Sequence, residues 1–177
     1  MFHFPLDREE KRLILHSWAQ LPSEARFGER VFIQIFMYRP AIKRLFGLEA
    51  VAVDELPSAE RFKKHASNFT KHIGLIVASL KEGGNEAAAA TIIAQVGAGH
   101  NRFTAGVKFD TAYWSLFVDA ICDQVAAAQQ EASRLDDAPQ PSLRKRQKTV
   151  AAWRCLFEAV VAEMKSAYLK DFEEHQS

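Results

Sequence analysis

The sequence predicts an all-α fold, on three observations. Apolar residues recur at the helical period through most of the chain, runs of alternating β-branched residues are missing, and no two-residue hairpin signal separates apolar segments. The 177 residues fit one domain, residues 1–177, long enough to bury most of its apolar surface in a single core. Hydrophobic residues make up 48% and charged residues 25%, ordinary for a globular protein, but thirteen phenylalanines exceed what such a core usually needs.

Asp7, with Glu10 three residues on, is a capping-box arrangement. It starts a first helix to Gln20 with Leu13, Ile14, Ser17, Trp18 and Leu21 on its inner face. Pro22 opens a second helix, about Ser23 to Tyr38. Pro40 begins a short helical turn through Leu45, GLEAVAVDELP is a loop, and Ser58 is the expected cap of a third helix that stops at Gly83 and Gly84. EAAAATIIAQVGAGH reads as a fourth, amphipathic segment that loosens into glycines. Phe109 to about Arg134 and Thr149 to about Phe172 form the fifth and sixth, joined by a polar, basic bend, LDDAPQPSLRKRQK. That basic cluster reads as a solvated loop.

A formal net charge of +1 gives no field to gather nucleic acid or an anionic membrane, and no apolar run approaches the length of a spanning helix. MFHFPLDREEKR has no basic region followed by an apolar one, and Phe2 stands where myristoylation needs glycine, so the expected setting is cytoplasmic. Cys122 and Cys155 lie far apart within helical patterns. They suggest two buried thiols, with a redox-dependent bridge open if their helices pack side by side, and no zinc motif.

The third helix, ERFKKHASNFTKHIGLIVASL, carries His65 and His72. Both fall at the rim of its apolar face, His65 roughly 60° and His72 roughly 80° from the centre. About 10.5 Å of helix separates them, so they cannot serve one metal centre together. A further histidine, His100, closes QVGAGH one turn after Val96, and Gly97 and Gly99 beside it would let backbone approach a flat ligand. Phe32, Phe36, Phe46, Phe62 and Phe69 complete the pattern. An aromatic slot with an imidazole on either side suits a haem, whose faces are apolar and whose iron takes axial nitrogen ligands; the same phenylalanines would also fill an ordinary core.

From about Leu13 to Tyr168 the chain resembles the globin family. LILHSWAQL, VFIQIF and RPAIKRLF look like its A helix, B helix and C-to-CD turn, and ERFKKHASNF looks like its distal E helix. VGAGH looks like the proximal F helix, and AAWRCLFEAVVAEM is similar to the H helix of neuroglobin and its invertebrate relatives. The resemblance implies a three-over-three helical sandwich around haem b (iron protoporphyrin IX). It implies His100 as proximal iron ligand, His65 as distal ligand or ligand-stabilising residue, and a pocket lined by Phe32, Phe46, Phe62, Phe69, Val96 and Val107. His72 is then left as a boundary residue.

Two departures stand out. AAAATI lengthens the stretch between the two histidines, and HNRFTAGV lengthens the corner after His100. Phe69 is bulkier than the valine common at that distal position, and the lining of Phe32, Phe46 and Phe69 holds no hydrogen-bond donor besides His65.

If His65 ligates the iron, exogenous ligands must displace it, and the centre suits electron transfer or redox and oxygen sensing. If it stands off, O₂ takes the open position and the distal N–H supports it, which makes a carrier or store. A haem-free interaction module is a third class, disfavoured by the presence of both histidines. The implied partners are a diatomic gas (O₂, NO or CO) or a redox protein. No acid–base pair beyond His65 points to an enzyme.

Overall fold

The computed structural model describes residues 2–21, 24–102, 109–135 and 141–174. Asp7 caps helix α1 (Arg8–Ala19), its carboxylate accepting from the Glu10 N–H while the Glu10 carboxylate accepts from the Asp7 N–H, both at 2.8 Å. Ile14, Ser17 and Trp18 turn inward, and the Ser17 hydroxyl accepts from the Trp153 indole at 2.8 Å, so the most deeply buried tryptophan keeps its N–H satisfied.

Helix α2 (Glu24–Tyr38) lies close against α3 (Glu60–Ser79) at Gly28, where a Cβ would run into the Ala66 carbonyl. The Gly28 N–H donates instead to the Thr70 hydroxyl at 3.0 Å, and that hydroxyl donates to the Ala66 carbonyl at 2.9 Å. Between these helices the proline turn is a 3₁₀ helix, Pro40–Phe46, and a second, Val53–Ser58, occupies part of the expected loop. Ser58 therefore ends that 3₁₀ turn and does not cap α3. Ala59 precedes α3 in extended conformation with no side-chain cap, because Pro57 belongs to the turn and carries Ser58 along with it. Helix α3 stops at Ser79, before the two glycines, of which Gly83 has a positive φ of 74°.

The Asn85 side chain caps α4 (Glu86–Gly99) by accepting from the Ala88 N–H at 2.9 Å, and a 3₁₀ turn, His100–Arg102, follows directly. The AAAATI stretch forms the first half of α4 as regular helix. Helix α5 (Tyr113–Leu135) starts later than expected from Phe109, because the Asp110 carboxylate accepts from the Ala112 N–H at 2.9 Å and holds a turn first. Helix α6 (Leu143–Glu174) starts earlier than Thr149. The Ser142 hydroxyl accepts from the Lys145 N–H at 3.2 Å, so Arg144 to Lys148 is helical and not a bend. Arginine, lysine and glutamine are good helix formers, so a polar stretch need not be a loop.

Helices α1, α3 and α4 pack over α2, α5 and α6 in a three-over-three arrangement, with the fullest contact between α4 and α6. Gly97 makes that contact: a Cβ there would fall 2.5 Å from the Met164 carbonyl oxygen and 2.7 Å from its Cα. Its glycine lets two helices meet, not backbone meet a ligand, and Gly99 has open space around it. At its other end α4 is tied to the N-terminal segment by Glu86, a buried carboxylate that accepts from the Phe4 N–H at 2.8 Å and pairs with Lys11. Burial alone would push this carboxyl up, but the Lys11 ammonium, the Phe4 N–H and His3 outweigh it and hold it below its usual range.

Cys122 is buried, and that burial pushes its thiol up to about 11. Cys155 departs from the expected pair of buried thiols: it is only partly covered, with its sulfur 3.2 Å from the Pro5 carbonyl. Both are free. Among the described residues no helix is long and apolar enough to cross a membrane.

Candidate functional site

The two helical layers leave a cavity of about 220 Å³ between them, walled by α2, α3, α4, α5, α6 and the Pro40–Phe46 turn. Almost all of its lining is aliphatic or aromatic, and the polar exceptions are His65, Asn68, His72 and His100. A flat, largely apolar ligand with atoms that bind imidazole nitrogen is what such a lining accommodates.

His100 enters at the C-terminal end of α4. Its Nδ1 lies 2.6 Å from the Val96 carbonyl, and since a carbonyl only accepts, Nδ1 carries the proton and Nε2 the lone pair. The same bond fixes the ring's rotation and raises the basicity of Nε2. Phe109 and Trp114 hold the imidazole edge-on, with ring centroids 4.8 and 5.2 Å away. Burial lowers its pKa, only partly countered by the Val96 carbonyl, so the ring is neutral at pH 7. The AAAATI stretch before it is continuous with the helix that carries His100.

His65 faces the cavity from α3, half-buried, with its ring T-shaped against Phe46 at 5.1 Å. Its pKa is lowered first by burial and then by the neighbouring Arg61 and Lys64 charges, which keeps it neutral too. Phe32 organises the aromatic wall around it, meeting Phe46 at 5.2 Å, Phe69 at 5.2 Å and Phe117 at 5.4 Å.

Of the residues expected from the sequence, the cavity wall brings together Phe32, Phe46, His65, Phe69, Val96 and His100. Phe62 stands elsewhere: it is 1% exposed and packs behind the wall against Phe32 and Phe36. Val107 lies outside the described residues. His72, expected as a bland boundary residue, is in the wall, as is Asn68, so the lining has side-chain donors besides His65. Both were legible in principle, because positions 65, 68 and 72 repeat at helical spacing on one face of α3. Trp114, Phe117, Ile121, Phe157 and Met164 also line the cavity, and no local motif marks them.

The globin family model matches residues 29–164. The chain belongs to the globin family. The globin-related protein glb-13 of Caenorhabditis elegans is 27% identical over 168 residues, which are 94% of this chain and 53% of that protein, so the chain spans about half the length of this curated relative. A hexacoordinated heme protein from an anhydrobiotic tardigrade superposes with a TM-score of 0.75 at 17% identity, over 94% of this globin and 97% of that chain. Globin-like protein Glb-12 from C. elegans reaches 0.77 at 14% identity, over 96% and 92%. Haemoglobin of the botfly Gasterophilus intestinalis reaches 0.71 at 16%, over 93% and 99%. At these identities the structural likenesses establish the fold, which is that of a globin.

Proposed function

We propose that residues 1–177 form one globin domain that holds haem b between His100 and His65, with both imidazoles on the iron at rest. The observation that carries this reading is one apolar cavity lined by His65 and His100, both kept neutral by burial, the latter with its tautomer set by the Val96 carbonyl. Haem held there would supply a one-electron iron couple. His100 is the permanent ligand, because its ring is held on three sides by Val96, Phe109 and Trp114. His65 is the exchangeable one, because it is half-buried and, among the described residues, has one ring contact, to Phe46.

The tardigrade protein is described as a hexacoordinated heme protein, and its shared fold supports a six-coordinate reading here, with His65 as the sixth ligand. His65 would be the residue a diatomic gas has to displace, so the apparent gas affinity would be the intrinsic one multiplied by the fraction of molecules in which His65 has let go. That behaviour suits electron exchange with a redox partner or sensing of oxygen and redox state, in a cytoplasmic setting where Cys122 and Cys155 stay as thiols. The role is exchange of electrons or ligands, not catalysis.

Carbon monoxide binding to the ferrous protein tests this reading. The observed rate should level off with rising CO concentration, at the rate of His65 departure, whereas a rate that climbs linearly throughout would mean the sixth position is open.

A further inference from the structure

Away from the haem cavity, α2 and α5 leave a second cleft, of about 310 Å³, which opens to the surface. Buried Ile35 and Ala120 line it, α2 adds Tyr38 with Arg39 directly after, and α5 adds Asp119 and Asp123. Tyr38 is 71% exposed and its neighbour Met37 65%, more than any other large apolar side chain among the described residues. The remaining exposed ones, Val53, Leu75, Leu143 and Leu169, are scattered singly along the chain. Single exposed apolar side chains are ordinary, but an adjacent pair beside a cleft marks a contact surface.

The two lips of the cleft differ in sign. The Arg39 guanidinium has no hydrogen-bond or ion-pair partner among the described residues, although two carboxylates line the same cleft. Those carboxylates are held from their own side, Asp119 accepting from Arg154 at 2.9 Å and Asp123 from the Gln34 amide at 2.7 Å. The Gln34 carbonyl in turn accepts from Gln124 at 2.7 Å, which fixes the amide that holds Asp123. Each carboxylate uses one oxygen in these bonds and keeps the other for a further donor.

An unpaired cation on one lip and two fixed anions on the other make a surface complementary to itself. With a twofold axis running along the cleft, α2 of one copy lies over α5 of the other, and the charge pairing occurs twice. We propose that the α2–α5 face is a homodimer interface, where Arg39 of each copy meets Asp119 and Asp123 of the other and Tyr38 packs into the opposing cleft. A tyrosine anchor suits this place, bringing a large apolar area and a hydroxyl that can stay wet at the rim. A partner of uniform charge would meet repulsion at one lip, so the surface favours a second copy over a wholly acidic or wholly basic protein. The haem reading does not enter this inference.

Sedimentation of the purified protein, both haem-loaded and haem-free, tests it. Wild type should run at twice the 19.9 kDa chain mass at tens of micromolar. Arg39→Asp alone sets like charges against each other at both contacts, as does Asp123→Arg alone, and each should raise the dimer dissociation constant about a hundredfold. Both positions are exposed, so neither substitution enters the core. An equimolar mixture of the two variants should dimerise again, because every reversed charge then faces a reversed partner. Tyr38→Ala should weaken the dimer about tenfold with the helical circular-dichroism signal unchanged. A monomeric wild type, a dimer indifferent to Arg39→Asp, or variants that stay monomeric when mixed would each overturn the interface and leave the haem reading standing.

Discussion

The two walls of the cavity hold their histidines in opposite ways. On the proximal side His100 ends a helix fixed at both extremities, by Glu86 and its partners at the start and by the close approach of Gly97 to Met164 near the end. Its ring is then locked by one short hydrogen bond and two edge-on aromatic contacts. On the other side His65 projects from the second turn of α3 with one ring contact among the described residues, at a half-buried position beside Arg61 and Lys64. Each imidazole is kept neutral by burial, but only the proximal one is kept still. The proposed exchange of a sixth ligand needs this inequality, since one nitrogen must stay while the other leaves.

The comparison can be broken from the proximal side first. His100→Ala should abolish stable haem uptake, read as loss of the Soret band on haem titration, with the helical circular-dichroism signal of the apoprotein retained. Gly97→Ala should destabilise the fold by about 3 kcal/mol, because the new methyl meets Met164 backbone that cannot swing aside. Urea unfolding would check this, and a change under about 1 kcal/mol would mean that α4 and α6 have slack. His65→Leu should leave unfolding within about 1 kcal/mol of wild type while converting the ferrous spectrum from low-spin to high-spin. An unchanged low-spin spectrum would point to another distal ligand, with His72 the next candidate on the same wall.

The smallest effect belongs to the Glu86 tie. Its carboxyl is held below the ordinary value, so the unfolded chain binds the proton more readily and stability rises with pH in that range. The contribution is present above about pH 4.5, the unfolded value, and lost as pH falls through the lower, folded one. Glu86→Gln should therefore cost about 1 kcal/mol at pH 7 and flatten the acid limb of the stability curve. Equal slopes for the two proteins between pH 5 and 3 would remove Glu86 from that role.

Much of the architecture was legible because local chemistry and tertiary packing agreed. Asp7 with Glu10 started α1 as expected, and Pro40 opened the turn that delivers Phe46. Where they conflicted, the sequence misled. Ser58 is a good cap by type, yet the 3₁₀ turn through Pro57 claims it, and Arg144 to Lys148 reads as a bend until Ser142 caps it into α6. At the site, the histidines and the phenylalanine pattern were visible as spacing. Which glycine served which neighbour was not, because Gly97 answers to Met164, 67 positions away in sequence. The same limit hid Trp114 and Phe117, whose place in the wall depends on how α5 packs against α2 and α6, and it put Phe62 at the wall when it stands one layer behind.

The most direct measurement is the absorption spectrum of the purified ferrous protein without added ligand, recorded beside its ferric form. Two neutral imidazoles on one iron predict a Soret band with sharp, resolved low-spin bands in the visible region of both. A single broad high-spin band in the ferrous protein would contradict ligation by His65, and the absence of any Soret band after haem titration would contradict the haem site itself.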